Sequence, residues 1–281
     1  MIDPLTKVGL WLATKSCGCK AVSCRRYGVD KGFPPEDPAE AIVSAFADRM
    51  RPILGRQIDA VIAKLRSSGL TGYQLATQAA LEVAKPEFAI ATIAAAKPML
   101  DEAISLGSRV GLAEIGVDPF DVFNPSVQRW VDTSATRLAE DVTLGTTTRV
   151  ADLLGRSLEQ GRSIDDIAAD LTASGYDEVR SERIARYESA RAYSHGQIEG
   201  WDQSGVVAGK RWLLSPEACE FCVSVAATFS ERTVGLRDSF LPVGSTVVGA
   251  QGGVMNIDHE TVYGPPLHPG CRCAMTAVLS R

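Results

Sequence analysis

Apolar residues recur every three or four positions from residue 39 onward, and that spacing predicts one helix after another across most of the chain. Ile42, Phe46, Met50, Ile53, Leu54, Ile58, Val61, Ile62 and Leu65 fall on one stripe, as a helix with a single buried face requires. Ser67-Ser68-Gly69 ends that helix. A second is predicted over about Gln74–Ala84 and a third over Phe88–Ala113. Pro98 predicts a kink or break in the third, because proline has no N–H to give to the helix ladder. The run Ala94-Ala95-Ala96 would let a neighbouring helix pack closely. Gly116–Asn124 reads as a linker, and Asn124-Pro125 as an N-cap followed by proline in the first helical position. Val127, Trp130, Val131, Leu138 and Val142 form the next stripe. A later helix carries Val150, Leu153, Leu154 and Leu158 and stops at Gly161. Ser163 opens another, with Asp165 and Asp166 in its first turn, where the helix dipole favours acids. Gly175 ends it. A last long helix is expected over roughly Glu178–Gln203, with Glu182 and Arg186 an i,i+4 pair of favourable orientation.

From Gly205 the texture changes. Lys210–Leu214, Ser245–Val248, Val254–Ile257 and Ala274–Leu279 read as short strands, with Gly249, Gly252 and Gly253 in the turns. Few large apolar side chains lie in this segment, so its core is expected to be marginal and to need a staple. The fold class expected is α+β: a long helical N-terminal and central region, then a small, loop-rich β C-terminal domain stapled by zinc. The divisions read from sequence are an irregular basic arm (1–38), a helical region (39–115), a linker (116–125), a second helical region (126–204) and the small β domain (205–281).

The 281 residues carry a net charge of −5, which excludes a basic nucleic-acid coat. The charge is uneven. Residues 1–34 hold +4 through Lys7, Lys15, Lys20, Arg25, Arg26 and Lys31, residues 206–281 are neutral, and the middle is acidic. The basic arm is therefore the one segment whose composition suits phosphate. The opening residues lack the pattern of a secretory signal, and no stretch approaches the ~20 apolar residues of a membrane span. Seven cysteines in such a chain read as reduced thiols or metal ligands before disulfides.

Four of those cysteines and a histidine make two clusters. Cys219 and Cys222 form a Cys-x-x-Cys pair, and His268-Pro269-Gly270-Cys271-Arg272-Cys273 follows near the C-terminal end. Thiolates and imidazoles in two short groups suit a tetrahedral Zn²⁺ site, and four filled positions would make it structural. Five candidates compete for those four places. Cys219, Cys222, His268 and Cys273 rank first, with Cys271 as the alternate. The competing reading is buried free thiols, or one disulfide formed in an oxidising medium. Cys17, Cys19 and Cys24 offer a second possible metal group, although incidental thiols on an exposed arm are the simpler reading.

Other signals are weaker. His259-Glu260-Thr261-Val262-Tyr263 begins like a zinc-protease helix, but Tyr263 holds the place of the second histidine. His195 is expected to be a packed residue and not a catalyst. No glycine-rich loop sits between a strand and a helix, and three histidines assemble no nucleophile–base set.

Residues Val150–Cys273 resemble the phage head-morphogenesis, or minor head protein, family. Three consecutive features carry the likeness. A helix ends in Gly161-Arg162-Ser163 and an amphipathic helix follows. Arg180, Ile184-Ala185-Arg186 and Glu188 then lead to Gly209-Lys210-Arg211-Trp212. Last come Cys219, Cys222 and the run Pro265–Cys273. The chain departs from the family pattern at Tyr187-Glu188-Ser189 and at Ser215-Pro216-Glu217. The resemblance implies a structural virion protein made in the host cytoplasm and lodged at the portal vertex inside the capsid. It implies the portal protein as a partner, with the major capsid or scaffolding protein as further candidates. It implies support of head assembly, DNA packaging or DNA ejection, with non-specific contact to packaged DNA through the basic arm, and no membrane association. Two alternatives stand beside it. One is a zinc-containing nucleic-acid-binding protein, for which a basic face would be expected. The other is a phage-encoded transferase or toxin-type enzyme, for which the chain offers no Glu-x-Glu loop.

Overall fold

The computed structural model describes residues 38–68, 72–117, 120–173, 176–216 and 218–280. The basic arm, with Cys17, Cys19 and Cys24, lies outside the described residues, as does Gly175. The described fold is mainly helical with a small C-terminal sheet region. Its helices are α1 (Pro38–Ser67), α2 (Gly72–Leu81), α3 (Pro86–Ile115), α4 (Pro125–Glu159), α5 (Ile164–Ala173), α6 (Tyr176–Ser204) and α7 (Glu220–Phe229). The strands are β1 (Val207–Leu213), β2 (Val234–Gly235), β3 (Thr246–Val248), β4 (Val254–Asn256) and β5 (Ala274–Leu279).

Two sequence expectations fail in instructive ways. Pro98 does not break the chain's helix, since α3 runs on through it. Ala95, Ala96, Met99 and Leu100 around it are buried, and that packing outweighs one missing ladder bond. The two helices expected over 126–158 are one helix of 35 residues, α4. Gly145 and the threonines after it are poor helix formers. Here Thr146 is fully buried and donates to Val142 O (2.6 Å) and to Gln57 Oε1 (3.4 Å), so tertiary contacts carry the helix through. The caps behave as read. Asn124 Oδ1 accepts from the Ser126 N–H (2.9 Å), and Ser163 Oγ accepts from the Asp166 N–H (3.1 Å).

The described chain groups into two compact units. One comprises residues 44–99 and 128–185. Its core joins Val61 and Leu65 of α1, Leu75 of α2, Leu154 of α4 and Ile167 of α5, all buried. These are the stripes read from the sequence, and their meeting is an ordinary amphipathic helix cluster.

The other unit comprises, among the described residues, 38–43, then stretches within 100–127 and 186–280. In it α3 and α6 approach until backbone touches backbone. A Cβ on Gly107 would lie 2.0 Å from Tyr193 O, and one on Gly196 would lie 2.2 Å from Ile104 O. Gly111 and Gly200 extend the contact one turn on, so each helix contributes a Gly-x-x-x-Gly pair. The approach brings Ser108 Oγ to Gly196 O (2.8 Å) and the Trp201 indole N–H to Gly111 O (3.0 Å).

The C-terminal sheet is antiparallel in the order β2-β1-β5, with Lys210 opposite Ala277 and Trp212 opposite Met275. A separate hairpin pairs β3 with β4. The core of this region is larger than its own composition promised. Trp212, Phe229, Phe240 and Leu267 pack with Ile198 and Trp201 of α6 in one cluster. The helix lends the strands the apolar mass they lack.

Candidate metal centre

Helix α7 was not legible as a helix, and it is what positions the Cys-x-x-Cys pair. Cys222, Val225, Ala226 and Phe229 are its buried residues, a clean i, i+3, i+4, i+7 stripe. Cys219 is the N-cap, with extended backbone, and Glu220 stands in the first turn. The pair thus opens at a helix N-terminus. Cys219 is partly exposed and Cys222 is buried.

The second group arrives on the segment just before β5. A turn closed by the Cys271 N–H to His268 O (2.9 Å), with Gly270 at φ 85°, folds this arm back. Such a φ favours glycine, which lacks the clashing Cβ. The turn delivers His268 Nε2 to within 3.0 Å of Cys219 Sγ and 3.5 Å of Cys222 Sγ. Cys222 Sγ also lies 3.5 Å from Cys271 Sγ. Two overlapping groups result, Cys219–Cys222–His268 and Cys222–Cys271–Cys273. Within each, the ligand atoms lie within 4.8 Å of one another. All five residues singled out from the sequence converge, and Cys222 belongs to both groups.

The geometry suits a metal ion. Tetrahedral zinc, with bonds of about 2.0–2.3 Å, sets its ligand atoms roughly 3.4–3.8 Å apart. The spacings of 3.0, 3.5 and 3.5 Å fall within a few tenths of an ångström of that range, and the remaining pairs within each group lie within 4.8 Å. His268 Nδ1 lies 3.0 Å from Pro269 O, and a carbonyl can only accept. Nδ1 therefore carries a proton, and Nε2 is the nitrogen that faces the sulfurs, as in metal-bound imidazoles.

The protonation pattern has the same sense. A hydrogen bond from Cys222, and then one with His268, hold Cys219 down at about 4 against the effect of burial. Contacts with Cys222 and Cys271 likewise hold Cys273 down at about 3. Cys222 is pushed up, chiefly by its hydrogen bond to Cys219. Cys271 rises to about 12, because its neighbour Cys273 and burial outweigh the opposing contact with Cys222. Burial would lower His268, but the hydrogen bond to Cys219 raises it. Lowered and raised thiols thus lie side by side, and a divalent cation would replace the protons they hold on binding. These residues could hold a metal ion.

The same unit holds charged groups that the sequence did not announce. Lys210 is fully buried, and its Nζ donates to Leu236 O (2.5 Å) and Asp238 O (2.8 Å). It sits over the Phe240 ring at 5.5 Å, and burial lowers it to about 8. Arg191 of α6 grips Glu260 through Nε (2.5 Å) and a terminal nitrogen (2.6 Å), and also pairs with Glu188. Glu199 is buried against Arg237 and accepts from Ser126 Oγ (2.7 Å). His195, 3.6 Å from Glu199, is pushed down to about 4 by burial. It is a packed histidine, as read. His259 and Glu260 lie outside any helix, and Glu260 is engaged by Arg191. The protease-like beginning at His259 therefore assembles nothing. A period-3.6 count along α6 would have placed Glu188, Arg191, His195 and Glu199 on one face, which is the signal that was available.

No known protein family's profile matches the chain, and no solved structure matches it. A stretch of 98 residues is 34% identical to a protein of Bacillus subtilis (strain 168) that carries the name "Uncharacterized protein YqbB". The match covers 34% of this chain and 32% of that protein, so the chain spans about a third of its length. Among the described residues, no helix is long and apolar enough to cross a membrane.

Proposed function

We propose that this chain is a non-enzymatic minor capsid protein of a tailed phage. In this reading it joins the portal vertex on the inside of the head and supports head assembly, DNA packaging or DNA ejection. One observation carries the proposal. The Cys-x-x-Cys pair and the His-Pro-x-Cys-Arg-Cys arm, the most specific part of the likeness to head-morphogenesis proteins, converge as ligand atoms 3.0–3.5 Å apart. A motif shared by chance has no reason to close into one site.

Zn²⁺ is the ion the donor set suits best, since soft thiolates with one imidazole favour it over Mg²⁺ or Ca²⁺. Cys219, Cys222 and His268, with Cys271 or Cys273, would hold it. Four protein ligands leave no open position for substrate, so its role is to close the loop between residues 222 and 268. The metal would supply folding energy to a segment whose strands are two to seven residues long.

The test uses the full chain, purified without added metal. Zinc is measured per chain, and binding to the portal protein of the same phage is measured by co-purification. About one zinc per chain with portal binding and little affinity for free duplex is the expected result. Tight, steeply salt-dependent duplex binding without portal binding would replace this reading by a nucleic-acid binder.

A further inference from the structure

The sulfur cluster is asymmetric in a way that a static metal clasp does not require. Cys219 is partly exposed, whereas Cys222, Cys271 and Cys273 are buried at 1%, 8% and 6%. Cys219 is the N-cap of α7, and Cys222 stands one turn along the same helix. An accessible cysteine at a helix N-terminus with a buried partner three residues later is the geometry of a dithiol that exchanges with external disulfides. His268 Nε2 touches both sulfurs, at 3.0 and 3.5 Å.

The geometry points to Cys219 as a thiol–disulfide exchange site, with Cys222 as its resolving thiol and a low-molecular-weight disulfide, RSSR, as the oxidant. Cys219 Sγ, as thiolate, attacks one sulfur of RSSR. The Cys219–S–SR bond forms, the S–S bond of RSSR breaks, and RS⁻ leaves. Cys222 Sγ then attacks Cys219 Sγ. The Cys219–Cys222 bond forms, a second RS⁻ leaves, and the Cys222 proton passes to His268 Nε2 or to water. The two cysteines lose two electrons and RSSR becomes two thiols, so the step balances. The cluster as drawn by its own distances is enough for this, and no bound metal is required. Where a metal is bound, the oxidised pair can no longer ligate it, so disulfide and metal exclude one another at this site.

The experiment treats the full chain, with and without a chelator, with oxidised glutathione. The reaction is quenched with acid at short times and the adducts are mapped by peptide mass spectrometry. Among the four clustered cysteines, Cys219 is expected to carry the first glutathione, followed by a Cys219–Cys222 disulfide. In Cys222→Ser the glutathione should stay on Cys219, and that disulfide should be lost. The order of adducts in the parent chain decides the matter even if the variant folds poorly. A first adduct on Cys271 or Cys273, or no adduct on any of the four in chelator, overturns the proposal. Zinc content is measured separately, so a chain that exchanges at Cys219 but holds no zinc would defeat the metal reading and leave this one standing. Zinc that co-purifies should slow the first adduct, and the chelator should restore its rate.

Discussion

The two compact units achieve their order by different means. In residues 44–99 and 128–185 the helices meet through apolar stripes, where one aliphatic side chain can stand in for another at modest cost. In the unit holding 186–281, single atoms decide. Four glycines let two helices touch, a lysine caps two carbonyls, an arginine clamps two carboxylates, and five ligand atoms converge. Diffuse burial makes a tolerant structure, whereas convergent polar chemistry makes a brittle one.

Perturbing one unit should therefore cost far more than perturbing the other. The largest difference should come from the cluster. Binding of zinc at sites of this kind is worth about 10–16 kcal/mol, comparable with the whole stability of a domain. Where zinc is shown to be bound, chelation, or Cys222→Ser, should expose residues 214–280 to protease. The helical far-UV signal should largely persist. Protection of that segment in chelator would erase the contrast.

Next in size is Arg191→Met, which removes the guanidinium that pairs with Glu188 and Glu260 and should cost about 3–5 kcal/mol by denaturant titration. A pH effect follows close behind. The folded state holds His195 at about 4, below its ordinary 6.5, so the unfolded chain binds the proton more readily. Its contribution is complete above pH 6.5 and fades as pH falls toward 4. The slope over that window should be flatter in His195→Gln.

The smallest effects form a matched pair. Gly196→Ala would set a Cβ against Ile104 O and should destabilise by about 1–3 kcal/mol. Gly155→Ala, in α4 of the other unit, meets nothing within 4 Å and should stabilise by up to about 1 kcal/mol. Equal melting temperatures for these two variants would remove the distinction.

The same contrast explains what could be read from the chain. The stripes of α1, α4 and α5, the Asn124 and Ser163 caps and strand β5 were legible, because each is local and periodic. The four cysteines and the histidine that converge were legible because such clusters are rare. Helix α7 was missed, since a Cys-x-x-Cys pair drew attention away from the stripe Cys222, Val225, Ala226, Phe229. The break expected at Pro98 and the gap expected near Gly145 were local signals that tertiary packing overrode. The Gly-x-x-x-Gly crossing needs two helices to be known as neighbours, and nothing local to either one states that.

Glu220 follows Cys219 directly, and its carboxylate accepts the Gln251 N–H at 2.9 Å. It fills the room left by two missing side chains: a Cβ on Gly249 would meet it at 2.2 Å and one on Gly253 at 2.7 Å. The ribbon from 246 to 256 is thereby moored to the residue beside the accessible thiol. Whatever reorients the start of α7 must carry this ribbon along, so events at one sulfur become visible on an outer surface that contains no cysteine.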